Sequence, residues 1–211
     1  MMPDSRPLII GITGNIGSGK TAFCRYLEDS GTTVYYADTL AKDVLNSAPV
    51  ITVLIERWGR EVAPDGVPLP KVISDKVFDK PEELAFLNSQ VHPGTLQRMQ
   101  ELVDACTDAS IIFEVPLLFE AGLQDGFDYL VLIMAPYEQI KQRLIERNGL
   151  DEQAIEKRLQ SQIPDSHKAK DCDLVIYNNT DLAALQHQAQ AFIHQIPLIN
   201  QRHTRSFTDF T

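Results

Sequence analysis

The chain has 211 residues, 44% of them hydrophobic and 23% charged, so it can bury a core without disulfides or a structural metal. Its 19 Lys and Arg against 29 Asp and Glu give a net charge of −10, which argues against a surface built to bind nucleic acid. Three widely spaced cysteines without a CxxC pair, and the lack of a signal-peptide pattern or a membrane-spanning run, favour a cytoplasmic protein with no membrane partner.

Five short apolar runs predict β-strands. The first, Leu8 to Ile12, ends in a glycine-rich turn and has the continuous apolar character of a strand buried on both faces. The other runs are Val34 to Tyr36, Ile111 to Val115, Tyr129 to Met134 and Leu174 to Tyr177. Helix-compatible segments separate them, so the alternation predicts an α/β fold with a five-stranded, doubly wound parallel sheet.

The segments between these strands carry helical patterns. Apolar residues at helical spacing predict a helix from Lys20 to Ser30, which Gly31 would end. The segment from Thr39 to Cys106 contains no strand run and is expected to be a helical insert. Its helical patterns lie around Val50 to Trp58, Lys71 to Phe78 and Glu82 to Val91.

The last third of the chain predicts three more helices. A stretch from Glu138 to Gln162 is broken by Asn148-Gly149, which favours two helices joined by a tight turn. Apolar residues from Leu182 to Ile196 mark one face of a final helix. Residues Gln201 to Thr211 are polar enough that we expect them to fray.

A complete GxxxxGK(S/T) motif follows the first strand. It is characteristic of a phosphate-binding loop when it joins a strand to a helix, because glycines let successive N–H groups converge on a phosphate. Lys20 is expected to bridge the β- and γ-phosphates of ATP, and Thr21 to ligate Mg²⁺. The expected ATP contacts are Gly14, Asn15, Ile16, Gly17, Ser18, Gly19, Lys20, Thr21 and Ala22.

Two acidic residues follow neighbouring strands and are candidates for the chemistry. Glu114, in the third apolar run, is a candidate second residue for holding Mg²⁺, with a solvated strand-end carboxylate as the alternative. Asp38 comes two residues after the second strand, where open α/β sheets place their ligands. There it could accept the proton of an acceptor hydroxyl, or it could cap a helix that starts at Thr39.

The remaining motifs narrow the class of P-loop protein. None of the eleven glycines has an Asp three residues before it, and no NKxD element occurs, so a GTPase is disfavoured. Arg143, Arg147 and Arg158 lie on the two helices from Glu138 to Gln162, which would suit a mobile lid over a nucleotide. The alternative is Glu/Arg pairing on a solvated helix face.

Taken together, these elements resemble the dephospho-coenzyme A kinase family over nearly the whole chain. The matching motifs are Gly11 to Thr21, Ala37-Asp38 with Ala41, Leu87-Asn88 before His92-Pro93, Val115 to Glu120, the lid residues Arg143, Arg147, Arg158 and Gln162, and Asp173 to Asn178. The resemblance implies ATP- and Mg²⁺-dependent phosphorylation of the ribose 3′-hydroxyl of dephospho-CoA, the last step of coenzyme A synthesis. It also implies a three-layer P-loop kinase fold with a helical substrate-binding insert and a helical lid.

The resemblance further implies roles for individual residues. Asp38 would be the general base, Lys20 and Arg143 would assist at the phosphates, and Asn178 would lie near the adenine. The acceptor pocket would be lined by Asp38, His92, Leu117, Leu118 and Glu120. For His92 the alternative is a buried, hydrogen-bonded histidine before a proline.

The implied organisation is one kinase unit over residues 1–211, acting as a monomer or small homo-oligomer on a small-molecule substrate. Its parts are a nucleotide-binding core of residues 8–38, 107–135 and 171–200, an acceptor-binding insert of residues 39–106 and a lid of residues 138–163. The chain departs from the family's pattern at Tyr36, where the family has an acid, at Pro70, where it has an arginine, and at Ile140, where it has a glutamine.

Two other functions fit the same motifs. One is a kinase that acts on another nucleotide or nucleoside, and the other is a regulator that binds ATP without transferring phosphate. Retention of Asp38 and Arg143 argues against the regulator.

Overall fold

The structure, a computed structural model, describes residues 6–149 and 151–210. Within these ranges the chain forms two compact units. The first comprises residues up to 36 together with 103–206, and the second comprises residues 37–102 together with the last residues from 207.

The first unit is built on a five-stranded parallel sheet, as the sequence predicts. The strands are β1 Leu8–Thr13, β2 Val34–Tyr36, β3 Ser110–Glu114, β4 Tyr129–Met134 and β5 Leu174–Tyr177, in the order β2-β3-β1-β4-β5. β1 pairs with β3 on one side and with β4 on the other. The chain therefore reverses the direction in which it adds strands at the carboxyl end of β1, the position where such sheets bind ligands.

Both faces of β1 are buried, because its alternate side chains enter two apolar layers. Ile10 and Ile12 are fully buried in a cluster that also contains Phe23, Leu27 and Phe192. Ile9 and its register partner Ile111 are also buried, and by the alternation of a strand they belong to the other face. The continuous apolar sequence of β1 therefore follows from burial on both sides.

In the described part of the first unit, helices connect or follow the strands. They are α1 Lys20–Asp29, α6 Tyr137–Asn148, α7 Glu152–Gln160, α8 Asp165–Lys168 and α9 Leu182–Gln195, together with the end of α5 Pro81–Ala105. α1 ends as the sequence predicts: Gly31 takes φ 88°, and the N–H groups of Gly31 and Thr32 donate to the carbonyls of Glu28 and Leu27.

The second unit is helical and has its own core. It contains α2 Ala37–Leu45, α3 Ala48–Trp58, α4 Pro70–Val77 and most of α5. Leu54, Val62 and Ile73 are buried together at its centre. None of the helices in the described residues is both long and apolar enough to cross a bilayer.

Two expectations about helix and chain ends are wrong. α5 does not end near Val91 but continues through Pro93 to Ala105. A proline inside a helix costs about 3 kcal/mol, yet the apolar face continues beyond it, with Leu96 and Met99 buried.

The expectation that the carboxyl-terminal residues fray is also wrong. Residues Phe207–Phe210 form a 3₁₀ turn in which Phe207 is buried and its N–H donates to Gln100 Oε1 at 3.0 Å. Burial of one aromatic side chain outweighs the polarity of its neighbours, and Thr211 lies outside the described residues.

Asp128 joins three segments at the amino end of the sheet. It is fully buried, and its carboxylate accepts hydrogen bonds from the Ile9 N–H at 2.8 Å, the Arg202 N–H at 2.5 Å and both terminal nitrogens of Arg6 at 2.6 and 2.8 Å. Burial raises the pKa of Asp128, but the hydrogen bonds from Arg6 and the two amides outweigh it, so the pKa is lowered overall.

The variant Asp128→Asn is expected to lower the free energy of unfolding by about 2 kcal/mol at neutral pH, because it removes charge-assisted hydrogen bonds inside the protein. A depressed carboxylate pKa adds stability above the unfolded pKa of about 3.9, and this stability is lost as the pH falls through the folded pKa. The gap between the variant and the wild type, measured by urea unfolding, should therefore narrow below about pH 4. A gap that stays constant with pH would contradict this role.

Candidate active site

The loop from Gly14 to Thr21 lies between β1 and α1, and its path depends on glycine. Gly14, Gly17 and Gly19 have φ of 146°, 76° and 102°. A Cβ on Gly14 would lie 2.2 Å from the Ile133 carbonyl oxygen, and a Cβ on Gly19 would lie 2.1 Å from Asn178 Nδ2. The loop therefore forms a backbone cradle that side chains would fill, which fits the binding of a phosphate group.

Lys20 begins α1, and its side chain folds back over the loop. It is only 7% exposed, and its ammonium donates to the carbonyls of Gly14 at 2.8 Å and Asn15 at 3.1 Å. Loop carbonyls thus hold the ammonium at the concave side of the loop. A phosphate oxygen could replace them as its acceptor.

Side chains from outside the loop bind its backbone. Asn178, which follows β5, is buried and donates from Nδ2 to the Ser18 carbonyl at 2.8 Å. Gln162 Oε1 accepts the Ile16 N–H at 2.9 Å, and Arg143 Nη1 donates to the Gly17 carbonyl at 3.2 Å. Polar contacts from widely separated parts of the chain therefore fix the loop conformation.

Arg143 lies beside the loop on α6, as expected for a phosphate-side arginine. Partial burial lowers the pKa of its guanidinium from the ordinary value. Its Nη2 donates to Gln139 Oε1 at 3.1 Å, one helical turn earlier. The other two lid arginines, Arg147 and Arg158, are exposed.

The departure at Ile140 has a packing explanation. Ile140 is 4% exposed and belongs to a small core with Leu144 and Ile155, against which the loop residue Ile16 packs. The two lid helices thus share a hydrophobic core with the phosphate-binding loop. The polar partner of Arg143 is Gln139, the neighbour of Ile140.

A cleft of about 750 Å³ lies between the loop and the lid. Its walls come from the loop residue Asn15, the end of β4 at Met134, Tyr137 of α6, Glu156 of α7 and Asp165 of α8. The two lid helices therefore border the space next to the phosphate-binding loop.

Thr21 and Glu114 form the candidate magnesium site. The Thr21 hydroxyl donates to Glu114 Oε1 at 3.2 Å. Glu114 is 5% exposed and pairs in register with Ile12 and Tyr36, so the alternative of a solvated carboxylate is wrong. Among residues 6–149 and 151–210 no three His, Cys, Asp or Glu side chains cluster to hold a metal, and Thr21 with Glu114 fits a Mg²⁺ ion that keeps water and phosphate ligands.

Asp38 is the second residue of α2, directly after β2. Because the helix begins at Ala37, Asp38 lies in its first turn, and the alternative of a cap for a helix starting at Thr39 is wrong. Its side chain is exposed.

Tyr36 stands where the family has another acid. Its hydroxyl donates to Glu28 Oε2 at 2.9 Å, and burial and, to a smaller extent, this hydrogen bond raise the pKa of the phenol.

The residues expected to line an acceptor pocket divide into two groups. His92 on α5 and Leu117 after β3 are exposed, so the alternative of a buried histidine is wrong. Leu118 is fully buried, and its Cδ1 lies 3.0 Å from where a Cβ on Gly11 would be, so it packs in the core, and its contact with the acceptor stays a prediction.

Glu120 contacts two groups of the protein itself. Its Oε1 lies 2.9 Å from Lys168 Nζ and accepts the Ile163 N–H at 2.9 Å. The carboxylate of Glu120 therefore holds protein groups. That Glu120 lines the acceptor pocket stays a prediction.

Sequence reasoning missed two polar residues at this site. Gln139 could have been found, because it lies four residues before Arg143 on a predicted helix. Lys168 could not, because its partners Asn15 and Glu120 are distant in sequence.

Comparisons of the sequence with a family model and with curated relatives point to the same family. The model of the dephospho-CoA kinase family matches residues 8–184. A dephospho-CoA kinase of Fusobacterium nucleatum is 35% identical over 190 residues, 90% of this chain and 98% of the relative. One from Dehalococcoides mccartyi is 39% identical over 175 residues, 81% of this chain and 88% of the relative.

A solved structure agrees in fold. The dephospho-CoA kinase of Campylobacter jejuni superimposes with a TM-score of 0.64 at 23% identity, over 91% of this chain and 98% of that one. The five-stranded parallel sheet with flanking helices is thus the P-loop kinase fold.

The variant Gly19→Ala is expected to weaken ATP binding about 100-fold, because a methyl group at φ 102° would displace the buried Asn178 amide and shift the loop. Titration calorimetry with ATP measures this. Gly31→Ala is the matched control: Gly31 has φ 88° but nothing within 4 Å of its Cβ position, so stability should fall by about 1 kcal/mol with unchanged ATP affinity. Wild-type affinity in Gly19→Ala would show that the close approach does not govern binding.

Proposed function

Because this chain belongs to the dephospho-coenzyme A kinase family, we propose a residue-level account of the reaction that the family catalyses. The reaction is the ATP-dependent phosphorylation of dephospho-CoA in coenzyme A biosynthesis. The observation that carries the account is the phosphate-binding loop at the carboxyl end of β1, with Lys20 over its concave side. We take the phosphoryl donor to be ATP with Mg²⁺ and the acceptor to be the ribose 3′-hydroxyl.

The loop binds the phosphates of ATP through its backbone N–H groups, and Lys20 exchanges its two carbonyl acceptors for phosphate oxygens. This exchange delivers the ammonium to charge that develops during transfer, where electrostatic stabilisation is most effective. Arg143 is placed by α6 against the carbonyl of Gly17, one of the loop glycines. From there its guanidinium adds a second positive group beside the phosphates.

Asp38 is proposed as the general base. Its Cα is at most about 7 Å from that of Tyr36, which lies opposite Glu114 in the sheet. Asp38 accepts the proton of the acceptor hydroxyl as the hydroxyl oxygen forms its bond to the γ-phosphorus. The bond between the γ-phosphorus and the bridging oxygen breaks, and ADP leaves with that electron pair.

On the acceptor side, two exposed residues are the proposed contacts. His92 and Leu117 are exposed and remain proposed contacts of dephospho-CoA, with residues 39–106 as the acceptor-binding part. The predicted contact of Asn178 with the adenine stays a prediction, since its Nδ2 serves the loop backbone. A cytoplasmic location is supported by the three cysteines, all of which are free thiols.

Thr21 and Glu114 would hold the magnesium ion, which neutralises phosphate charge when bound. Thr21 supplies its hydroxyl, and Glu114 supplies a buried carboxylate directly or through water. The hydrogen bond between them keeps both groups turned toward the same side of the loop.

The reaction is tested by measuring ADP release from ATP and Mg²⁺ with and without dephospho-CoA, followed by mass analysis of the acceptor. We expect one added phosphate on dephospho-CoA and ADP release that depends on it. Equal phosphorylation of adenosine or a nucleoside monophosphate would indicate a broader nucleotide kinase. ATP binding without transfer would indicate a regulator.

In the same assay, Asp38→Asn should lower kcat by a factor of about 100 to 10,000 while ATP still binds, because the amide cannot take the hydroxyl proton. The matched control is Asp43→Asn, an exposed carboxylate on the same helix α2, which should keep wild-type turnover. Unchanged kcat in Asp38→Asn would remove Asp38 as the base.

The variant Glu114→Gln should raise the Mg²⁺ concentration for half-maximal activity about tenfold, because an amide is a weaker partner for the cation. A magnesium titration at saturating ATP measures the shift. Asp29→Asn, an exposed carboxylate at the far end of α1, is the control and should leave the titration unchanged. If the two variants titrate alike, Glu114 has no part in holding the ion.

A further inference from the structure

Lys168 is a fully buried charged residue that the reaction described above does not use. It is the last residue of the short helix α8, and none of its surface is exposed. Burying an ammonium group without partners is very unfavourable. The groups that contact Lys168 therefore indicate its role.

The Lys168 ammonium connects two other segments of the first unit. It donates to Asn15 Oδ1 at 2.9 Å and lies 2.9 Å from Glu120 Oε1. Glu120 Oε1 in turn accepts the N–H of Ile163, in the connection between α7 and α8. We call Lys168, Asn15 and Glu120 the Lys168 cluster.

Stability alone does not account for this arrangement. A buried ion pair costs much of its attraction in lost hydration, and an apolar pair of similar volume is often as stable or more stable. The cluster does fix the orientation of the Asn15 side chain, because the hydrogen bond from the Lys168 ammonium to Asn15 Oδ1 restrains its position.

Asn15 is the second residue of the phosphate-binding loop, and its carbonyl has two donors. The Ser18 N–H donates to it at 3.1 Å, which forms the turn inside the loop. Lys20 Nζ also donates to it at 3.1 Å. The side chain that Lys168 holds therefore belongs to the residue that fixes both the turn and the resting position of Lys20.

We propose that Lys168 is a positioning residue for ATP binding, which acts through the Asn15 side chain to hold the phosphate-binding loop in its binding conformation. The proposal rests on the proposed function in that ATP is the phosphoryl donor. When Lys20 exchanges its loop carbonyls for phosphate oxygens, Asn15 loses one donor. Lys168 keeps Asn15 in place at that moment, so the loop does not relax around the nucleotide.

The variant Lys168→Met, similar in length but uncharged, tests the proposal. We expect the Kd and KM for ATP to rise about tenfold, the KM for dephospho-CoA to stay within about twofold and kcat at saturating ATP to change little. A residue that only stabilises the fold would lower the melting temperature without changing the ATP affinity of the folded protein. An ATP Kd within about twofold of wild type would therefore overturn the proposal.

The route through Asn15 has its own test. Asn15→Ala leaves the Lys168–Glu120 pair in place, and we expect it to weaken ATP binding about as much as Lys168→Met. The double variant Asn15→Ala/Lys168→Met should then be little worse than either single variant. If the ATP Kd of the double variant instead rises by the product of the two single-variant effects, Lys168 does not act through Asn15, and the proposal is overturned.

Folding of the variants is controlled separately. Lys170→Met removes an exposed charge two residues away and should keep wild-type ATP affinity. If Lys168→Met does not fold, Lys168→Met/Glu120→Met removes both members of the ion pair and takes its place. If that variant does not fold either, Asn15→Ala decides, because a wild-type Kd for ATP would overturn the proposal.

The two conclusions fail in different ways. ATP affinity, measured by titration calorimetry without acceptor, tests Lys168, and phosphorylation of dephospho-CoA by the wild type tests the proposed function. A wild-type protein that binds ATP without phosphorylating dephospho-CoA would refute the proposed function and leave the Lys168 result interpretable. A wild-type protein that does not bind ATP would refute both.

Discussion

The site depends on how closely the backbone after β1 approaches its neighbours. Gly14 lies against the Ile133 carbonyl at the end of β4, and Gly19 lies against the Asn178 amide after β5, with no room for a Cβ at either position. The loop is at the carboxyl end of the central strand β1, and β4 and β5, which bring Ile133 and Asn178 to it, lie on one side of β1. The parallel sheet supplies the neighbours of the loop, and the glycines let the loop approach them. Both are needed for the backbone N–H groups to converge on a phosphate.

Polar side chains hold this loop from several directions. Asn178, Arg143 and Gln162 contact its backbone, and Lys168 contacts the Asn15 side chain. These residues lie after β5, on α6, after α7 and on α8, so the conformation of the loop depends on elements that are far apart in sequence. A loop that is already held in its binding conformation does not have to rearrange when it binds phosphate. Its N–H groups are therefore in place to stabilise the charge that develops during phosphoryl transfer.

Helices α6 and α7, the proposed lid, are held against the loop by packing as well as by polar contacts. Ile16 of the loop packs against Ile140 and Leu144, and the glutamine after α7 accepts the Ile16 N–H. The connection beyond it reaches Glu120 and thereby the Lys168 cluster. The position where the family has a lid glutamine is thus a core position in this chain, and Gln139 serves as the polar partner of Arg143.

The sequence by itself determined the strands, the loop and the start of α1, because continuous apolar runs and a glycine-rich motif are local patterns that few structures satisfy. It also named Thr21, from the phosphate-binding motif, and Glu114, from its place at a strand end, as candidates for holding magnesium, and the structure joins the two by a hydrogen bond. Only the tertiary structure decided the partners of Glu120, the burial of Leu118, the helix through Pro93 and the contact of Lys168 with Asn15, 153 residues away. These features depend on which distant segments are packed together, and no periodicity along the chain encodes that.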